Sequence, residues 1–165
     1  MTALTIHPAA HIGHVHLRVA DLDRAIAFYR DMLGFTVTAS TPDMAFLAGG
    51  DYHHHIGLNT FTSAGGTPAS PEHTGLYHLA ILYPDRRALA AAVRWLLDHE
   101  YPFTKGEDHG AEVAVYLDDP DGNGIELYYD RPRAAWFDAH GQPIVKADRF
   151  DPRALLAEEM ATSVA

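Results

Sequence analysis

Apolar and polar residues alternate in several short stretches of the chain, which is the pattern of half-buried β-strands. In residues 11–19, the apolar side chains at positions 15, 17 and 19 share one face, and polar side chains occupy the other. Apolar residues then recur at helical spacing over 22–33, with Asp21 or Asp23 as a candidate N-cap and Gly34 as a C-cap. Three further strands are predicted over 35–39, 44–48 and 54–60. The pattern predicts one βαβββ module over about residues 11–61.

The same order of elements returns after a segment rich in glycine, proline and serine, residues 62–75, which we interpret as a linker. His14 precedes Asp21 by seven residues, and His78 precedes Asp85 by seven. This equal spacing predicts a strand at His78 and a helix after Asp85. Three more strands are predicted near Phe103 and over 112–118 and 124–130. The sequence therefore predicts a second copy of the module over about residues 76–130.

These elements predict an α+β fold in which two βαβββ modules form a single cup-shaped, eight-stranded incomplete barrel. Residues 131–165 are predicted to form a C-terminal extension with a short helix that opens at Asp151 and Pro152. With 165 residues, the chain has the length of one domain, and we expect a single domain over 1–165.

Strand parity places three chemically active side chains on the concave side of this barrel. The first strand of each module turns its apolar residues toward the helix, so His14 and His78 face the opposite way. On the last strand Ile125 and Leu127 face the helix, and Glu126 therefore faces the cup. Two imidazoles and one carboxylate form the 2-His-1-carboxylate set that binds non-haem Fe(II) and leaves positions open for substrate and dioxygen.

Other histidines leave alternatives open. His16 has the same parity as His14 and is an alternative ligand. An inward histidine on a strand can also be a hydrogen-bonded core residue without a function. His53, His54 and His55 are consecutive, so at most one or two of them can enter one site, and an exposed loop without a role explains the run equally well.

Residues 119–130 have the spacing of an EF-hand calcium loop, but their surroundings argue against one. The flanking segments alternate as strands, whereas an EF-hand loop lies between helices. We therefore expect a hairpin with its turn at Asn123 and Gly124.

The charge balance narrows the classes of partner. Twelve Lys and Arg residues stand against 22 Asp and Glu residues, so the formal net charge is −10. An acidic surface repels phosphate backbones and anionic lipids, and nucleic acids and membranes are not expected partners. The absence of cysteine excludes disulfides and thiolate chemistry, and the sequence shows no secretory leader or apolar run of membrane-spanning length. We expect a cytoplasmic protein, and its 12 histidines favour metal or acid–base chemistry.

Four stretches of the sequence resemble the vicinal oxygen chelate superfamily, which includes glyoxalases, bleomycin resistance proteins and extradiol dioxygenases. Residues 14–22 (HVHLRVADL) and 27–35 (AFYRDMLGF) carry the general resemblance. Residues 52–60 (YHHHIGLNT) and 108–126 (DHGAEVAVYLDDPDGNGIE) are similar to the catechol 2,3-dioxygenase branch of the ring-cleaving extradiol enzymes.

This resemblance implies a set of roles for particular residues. The metal ligands of the family fall on His14, His78 and Glu126, which are the residues that parity brings to the cup. The active-site tyrosine of the family, ten residues before the ligand glutamate, falls on Tyr116. The two assisting histidines fall on His54 and His109. The implied activity is cleavage of a small aromatic diol of the catechol type with O2, using Fe(II) or alternatively Mn(II). Familiar extradiol enzymes of this type usually carry two such domains, whereas this chain has one.

Other members of the superfamily suggest alternative functions. A glyoxalase-type isomerase adds a fourth ligand, Glu or Gln, on the last strand of the first module, where this chain has Gly57 with Asn59 nearby. A thiol transferase uses three ligands, and a drug-sequestering protein of this fold needs no metal. The sheet edges of such a repeat are able to pair in a homodimer.

Overall fold

A computed structural model of the chain describes residues 3–157. They divide into two compact units, and the boundary lies between Gly66 and Thr67. Each unit contains one mixed β-sheet and one main α-helix, and the elements follow the order strand, helix and three strands. The predicted α+β class and the two βαβββ modules are confirmed. No helix within the described residues is long and apolar enough to cross a membrane.

The first unit has a four-stranded sheet. Its elements are β1 (Val15–Arg18), α1 (Leu22–Ala27), β2 (Thr36–Ser40), β3 (Met44–Ala48) and β4 (Ile56–Asn59). The strand order is β1-β4-β3-β2, with β1 parallel to β4 and the other two pairs antiparallel. Strand β3 has the predicted bounds, whereas β1 and β4 are shorter than predicted because their ladder covers four residue pairs.

Helix α1 begins as predicted but changes its geometry before it ends. The carboxylate of Asp21 caps the helix by accepting a hydrogen bond from the backbone N–H of Arg24 at 3.0 Å. The α-helical turns end at Ala27, and Phe28–Met32 forms a π-helical turn. Gly34 then takes a φ of +78°, which a side chain would strain. The predicted continuous helix over 22–33 is therefore wrong in its last turns, since apolar spacing does not distinguish α from π geometry.

The second unit repeats this topology and adds one strand. Its elements are β5 (Leu79–Tyr83), α2 (Arg86–Asp98), β6 (Lys105–Asp108), β7 (Glu112–Asp118), β8 (Gly124–Asp130) and β9 (Asp148–Phe150). The strand order is β5-β8-β7-β6-β9, with β5 parallel to β8 and the other pairs antiparallel. Asp85 caps α2 by accepting from the N–H of Ala88 at 2.8 Å. Hydrogen bonds close neither sheet into a barrel within the described residues.

Helix α2 packs on β5 and β8 and sets which face of the sheet is apolar. Leu89, Val93 and Leu96 of the helix are fully buried, and so are Ile125 and Leu127 of β8. Because successive strand residues alternate between faces, residues 126 and 128 lie on the other face of the same sheet. The predicted parity of β8 is therefore confirmed.

The β7–β8 hairpin turns through five residues. Asp119 is buried and accepts hydrogen bonds from the backbone N–H groups of Asp121 and Asn123 at 2.9 and 2.8 Å. Gly122 takes the left-handed φ of +79°, and β8 starts at Gly124. The predicted hairpin is confirmed, but the predicted two-residue turn at Asn123 and Gly124 is wrong, because Asp119 ties down a longer loop.

Strand β9 was not expected from the sequence. It pairs with β6 at the edge of the sheet, with Phe150 opposite Gly106. Before it, a 3₁₀ turn at Arg133–Ala135 starts the C-terminal extension. Residues 154–157 are helical, in agreement with the predicted short helix, and the remainder of the predicted C-terminal extension lies outside the described residues.

Candidate metal and catalytic site

Glu126 is a buried carboxylate in the central part of β8. Its residue is 5% exposed, and β8 pairs with β7 on one side and β5 on the other. One oxygen, Oε2, lies 2.8 Å from Nε2 of His78, and the other accepts a hydrogen bond from the Tyr116 hydroxyl at 3.0 Å. A carboxylate out of water needs such partners or a cation. Neighbouring ligands on one ion with bonds of about 2.1 Å lie about 3 Å apart, so the His78–Glu126 pair fits a divalent metal ion.

His78 reaches Glu126 because a glycine lies beside it. The residue immediately precedes β5, whose first pair in the parallel ladder is Leu79 with Ile125. A Cβ atom on Gly124 would collide with the backbone oxygen of Tyr77 and lie 3.1 Å from Cβ of His78. Glycine at the start of β8 therefore permits the close approach of the two chain segments that carry His78 and Glu126.

Tyr116 and His109 extend the hydrogen bonds of Glu126. Tyr116 lies opposite Glu126 in the antiparallel β7–β8 ladder and is 8% exposed. Nε2 of His109 lies 3.0 Å from the Tyr116 hydroxyl. Burial, and then the negative charge of Glu126, raise the pKa of Tyr116 well above the usual value for a phenol, so Tyr116 is protonated here. Four of the predicted site residues thus form one hydrogen-bonded group: His78, His109, Tyr116 and Glu126.

A second arrangement of possible metal ligands overlaps this group. Donor atoms of His109, Glu112 and Glu126 all lie within 4.8 Å of one another. Burial, and then the charge of Glu126, raise the pKa of Glu112, as expected for carboxylates that crowd without a cation. The second unit therefore contains a candidate His/Glu metal site, in which Glu126 belongs to both possible ligand sets.

The half-buried Lys105 and the buried Glu107 are polar residues of this region that are not among the predicted site residues. The Lys105 ammonium donates to Oε2 of Glu107 at 2.8 Å and lies 4.4 Å from the centre of the Tyr116 ring. The same Glu107 oxygen lies 3.6 Å from Nε2 of His109. The hydrogen bond from Lys105 lowers the pKa of Glu107 below its usual value. Alternation along β6, which gives positions 105 and 107 one parity, was the available sequence signal.

In the first unit, His14 and His54 lie in direct contact. Their ring centres are 4.5 Å apart, and the His54 ring stacks on Phe46 with centres 4.2 Å apart and planes inclined by 14°. Desolvation, and then the neighbouring His14, lower the pKa of His54 below its usual value. His54 is therefore a neutral imidazole near pH 7, able to accept a proton.

The other two histidines of the run have different surroundings. Nδ1 of His55 accepts a hydrogen bond from the backbone N–H of Gly49 at 3.2 Å, and the ring contacts Tyr52. His53 is exposed and also contacts Tyr52, with its Nδ1 at 2.6 Å from Nδ1 of His54. Of the three, His54 is the residue whose ring packs beside His14.

His16, the alternative ligand, lies over Gly57. The two residues are paired in the parallel β1–β4 ladder, and a Cβ atom on Gly57 would lie 2.8 Å from Cγ and Nδ1 of His16. The His16 ring also meets Phe46 edge-on. The imidazole thus fills the space that a side chain at position 57 would need.

The fold and the residues of the site place the chain in a known superfamily. The family model described as Glyoxalase/Bleomycin resistance protein/Dioxygenase superfamily matches residues 11–127, and the chain belongs to this superfamily.

Particular relatives refine this result. The chain is 39% identical over 155 residues to catechol-2,3-dioxygenase of Bacillus subtilis (strain 168), covering 93% of this chain and 54% of the relative. It is 30% identical over 127 residues to biphenyl-2,3-diol 1,2-dioxygenase 3 of Rhodococcus globerulus, covering 77% and 66%. The chain therefore spans about half the length of the Bacillus relative. The crystal structure of a glyoxalase/dioxygenase from Nostoc punctiforme has the same fold, with a TM-score of 0.64, 23% identity, and coverage of 80% and 99%.

Proposed function

We propose that the protein is an Fe(II)-dependent extradiol dioxygenase that cleaves a small aromatic diol of the catechol type with O2. The observation that carries this proposal is the connected group in the second unit, where a protonated tyrosine and a histidine border the pair formed by His78 and the buried Glu126. Similarity to the Bacillus catechol-2,3-dioxygenase gives independent support.

Three residues are proposed as the metal ligands. His78 and Glu126 already lie 2.8 Å apart, and His14 of the first unit completes the 2-His-1-carboxylate set on the basis of strand parity and family resemblance. The competing set uses His109 and Glu112 with Glu126. Bound Fe(II) would supply open coordination positions for the diol and for O2 and a route for electrons between them. Mn(II) accepts the same ligands and is the alternative ion.

The remaining residues are proposed to bind the diol and move its protons. The Tyr116 hydroxyl donates to Glu126, so its oxygen is able to accept a hydrogen bond from a diol hydroxyl, and His109, 3.0 Å from that oxygen, is proposed to help deprotonate the diol. His54 is kept neutral by desolvation and by His14, and it is proposed to hydrogen-bond O2 at the site and to move a proton during cleavage.

The experiment that tests the activity combines metal analysis with oxygen uptake. The full chain is loaded anaerobically with Fe(II) and mixed with catechol, methylcatechols or 2,3-dihydroxybiphenyl. We expect diol-dependent oxygen consumption together with a yellow ring-cleaved product. One bound ion per chain without oxygen uptake would reject the proposal in favour of an isomerase or thiol transferase. Failure to bind any ion would favour a sequestering protein.

Two single substitutions distinguish the ligand sets. His14→Ala and His109→Ala remove the residues that differ between them. If the proposed set is correct, His14→Ala loses bound iron and His109→Ala keeps it but turns over slowly. The opposite result would move the metal to His109, Glu112 and Glu126.

A further inference from the structure

The face of the second sheet that carries Glu126 also carries two permanent cations. Tyr116 lies opposite Glu126 in the β7–β8 ladder, and Lys105 lies opposite Tyr116 in the β6–β7 ladder. Directly opposite residues of antiparallel strands point to the same face, and so do residues two positions apart on one strand. Glu107 therefore shares this face, and so does Arg149, which lies opposite Glu107 in the β6–β9 ladder.

The two cations share one carboxylate. Nζ of Lys105 lies 2.8 Å from Oε2 of Glu107, and Nε of Arg149 lies 3.7 Å from Oε1 of the same side chain. One negative charge between two positive charges leaves this group positive, although the chain as a whole has a formal net charge of −10. Among residues 3–157, the Lys105 ammonium hydrogen-bonds to Glu107 alone, and the Arg149 guanidinium makes no hydrogen bond. Both side chains therefore have donors available to an anion.

Lys105 and Arg149 line a cavity of about 790 Å³ at the beginning of β6. This volume lies within the range of small-molecule sites. Large apolar side chains from the end of α2, from the segment before β6 and from β9 form part of its wall: Leu97, Phe103 and Phe150. The other charged residues of the wall, Glu100 and Arg153, are exposed and of opposite sign. The cavity is therefore suited to an organic anion with an apolar body.

We propose that Lys105 and Arg149 form a subsite for a carboxylate, and that the diol cleaved by this protein carries a carboxylate on a short side chain. Ammonium and guanidinium groups bind carboxylates through charge-assisted hydrogen bonds. Lys105 is two strands away from Glu126, which corresponds to about 10 Å at the usual spacing of strands. A catechol ring with a short acidic side chain spans a comparable distance. The Lys105 ammonium also lies 4.4 Å from the centre of the Tyr116 ring, so the subsite adjoins the residues proposed to bind the diol.

The diol in this inference rests on the proposed function, whereas the carboxylate subsite is a property of the second sheet alone. Lys105 and Arg149 are specificity-determining residues in this arrangement, because they bind a substituent and not the hydroxyl groups that react. An interaction that is equal in the bound substrate and in the transition state affects KM and leaves kcat unchanged. Loss of either cation is therefore expected to raise KM for an acidic diol more than it lowers kcat.

The first test measures binding to the full chain without added metal, by ¹H–¹⁵N NMR titration. Phenylacetate is the probe, and phenylacetamide is its neutral counterpart of the same shape. We expect phenylacetate to bind about 10-fold more tightly or better and to shift the Nε–H signal of Arg149, since hydrogen bonds to charged groups have this strength. Arg149→Met and Lys105→Met should each weaken phenylacetate binding about 10-fold. Arg87→Met is the matched control, because it removes the same charge from an exposed position of α2 outside the cavity.

Two results would overturn the inference. One is equal binding of the two probes, which includes no binding of either at millimolar concentration. The other is phenylacetate binding that Arg149→Met leaves unchanged. The Arg149 side chain is 79% exposed, so this variant serves as the test if Lys105→Met does not fold.

The second test compares two diols in the iron-loaded enzyme, 3,4-dihydroxyphenylacetate and 4-methylcatechol. We expect the ratio of their kcat/KM values to fall about 10-fold in Arg149→Met, mainly through KM, and to stay constant in Arg87→Met. Phenylacetate binding by a chain that cleaves neither diol would reject the proposed function and leave the subsite intact. Cleavage of both diols by a chain that does not bind phenylacetate would reject the subsite and leave the proposed function intact.

Discussion

Replacing Gly124 with alanine tests whether the close approach of β5 and β8 positions His78, which we propose as a metal ligand. The added Cβ would collide with the Tyr77 carbonyl and lie 3.1 Å from Cβ and 3.4 Å from Cα of His78. Because these are backbone or backbone-proximal atoms, a rotamer change cannot relieve the contact. Overpacking of this kind costs about 1–3 kcal/mol of folding free energy. For a chain of this length, that lowers Tm by about 3–10 °C.

The same displacement separates His78 from Glu126, which are 2.8 Å apart in the structure. Disturbing the support of a metal ligand reduces metal affinity by about 10- to 100-fold, and we expect this loss for Fe(II) in anaerobic titrations of Gly124→Ala. Gly75→Ala is the control, because a Cβ at Gly75 has no atom within 4 Å and its φ is not left-handed. Equal Tm and equal Fe(II) affinity in the two variants would refute the reasoning.

Four further predictions concern individual side chains. Tyr116→Phe should keep its iron but lose about 10²- to 10⁴-fold in kcat, and full activity would remove the proposed role of the hydroxyl. His78→Ala should lose iron by elemental analysis, whereas unchanged iron would reject this ligand. Lys105→Met removes the cation 4.4 Å from the Tyr116 ring, a contact worth about 0.5–2 kcal/mol, and leaves Glu107 without its amine partner. Thermal unfolding should therefore shift to lower temperature, and Lys105→Arg should recover part of the shift. The pKa of Glu107 is lowered in the fold, so its carboxylate stabilises the protein above the unfolded pKa of about 4.3, and this stabilisation disappears as pH falls through the folded pKa. The Tm of Glu107→Gln should therefore decline less steeply from pH 5 to pH 3 than that of the natural sequence. Parallel declines in the two proteins would contradict this.

Much of the fold follows from local signals in the sequence. Asp85 caps the second helix as predicted, and Asp21, one of the two predicted candidates, caps the first, because an acidic residue before an amphipathic stretch satisfies free backbone N–H groups. Strands β7 and β8 have the predicted bounds, since their alternation is unbroken. Strand β9 has three residues and depends on a partner elsewhere in the chain, where Gly106 leaves the space that Phe150 occupies. No local pattern contains that information.

In the site, too, the face of each strand residue can be predicted from local alternation, whereas the pairing between strands cannot. Alternation identifies Glu126 as a residue of the face opposite α2, but a two-residue turn at Asn123 and Gly124 would pair Glu126 with Asp121. The five-residue loop instead pairs it with Tyr116. The family's ten-residue spacing identified Tyr116 as a site residue, but the predicted turn did not give its pairing with Glu126. Strand parity alone could not show that Lys105 binds Glu107 and lies close to the Tyr116 ring.

The imidazole of His16 over Gly57 has a consequence for how this protein can change over evolutionary time. The four-ligand sites that glyoxalase-type enzymes are expected to have need a carboxylate or amide at about this position of the first module. Here the required space is already filled, since a Cβ on Gly57 would lie 2.8 Å from the His16 ring. A mutation at Gly57 therefore arrives in a background that penalises it until His16 has been replaced by a smaller residue. The order of the two substitutions decides whether that mutational route is open. A residue on β1 therefore restricts which functional side chains β4 can acquire.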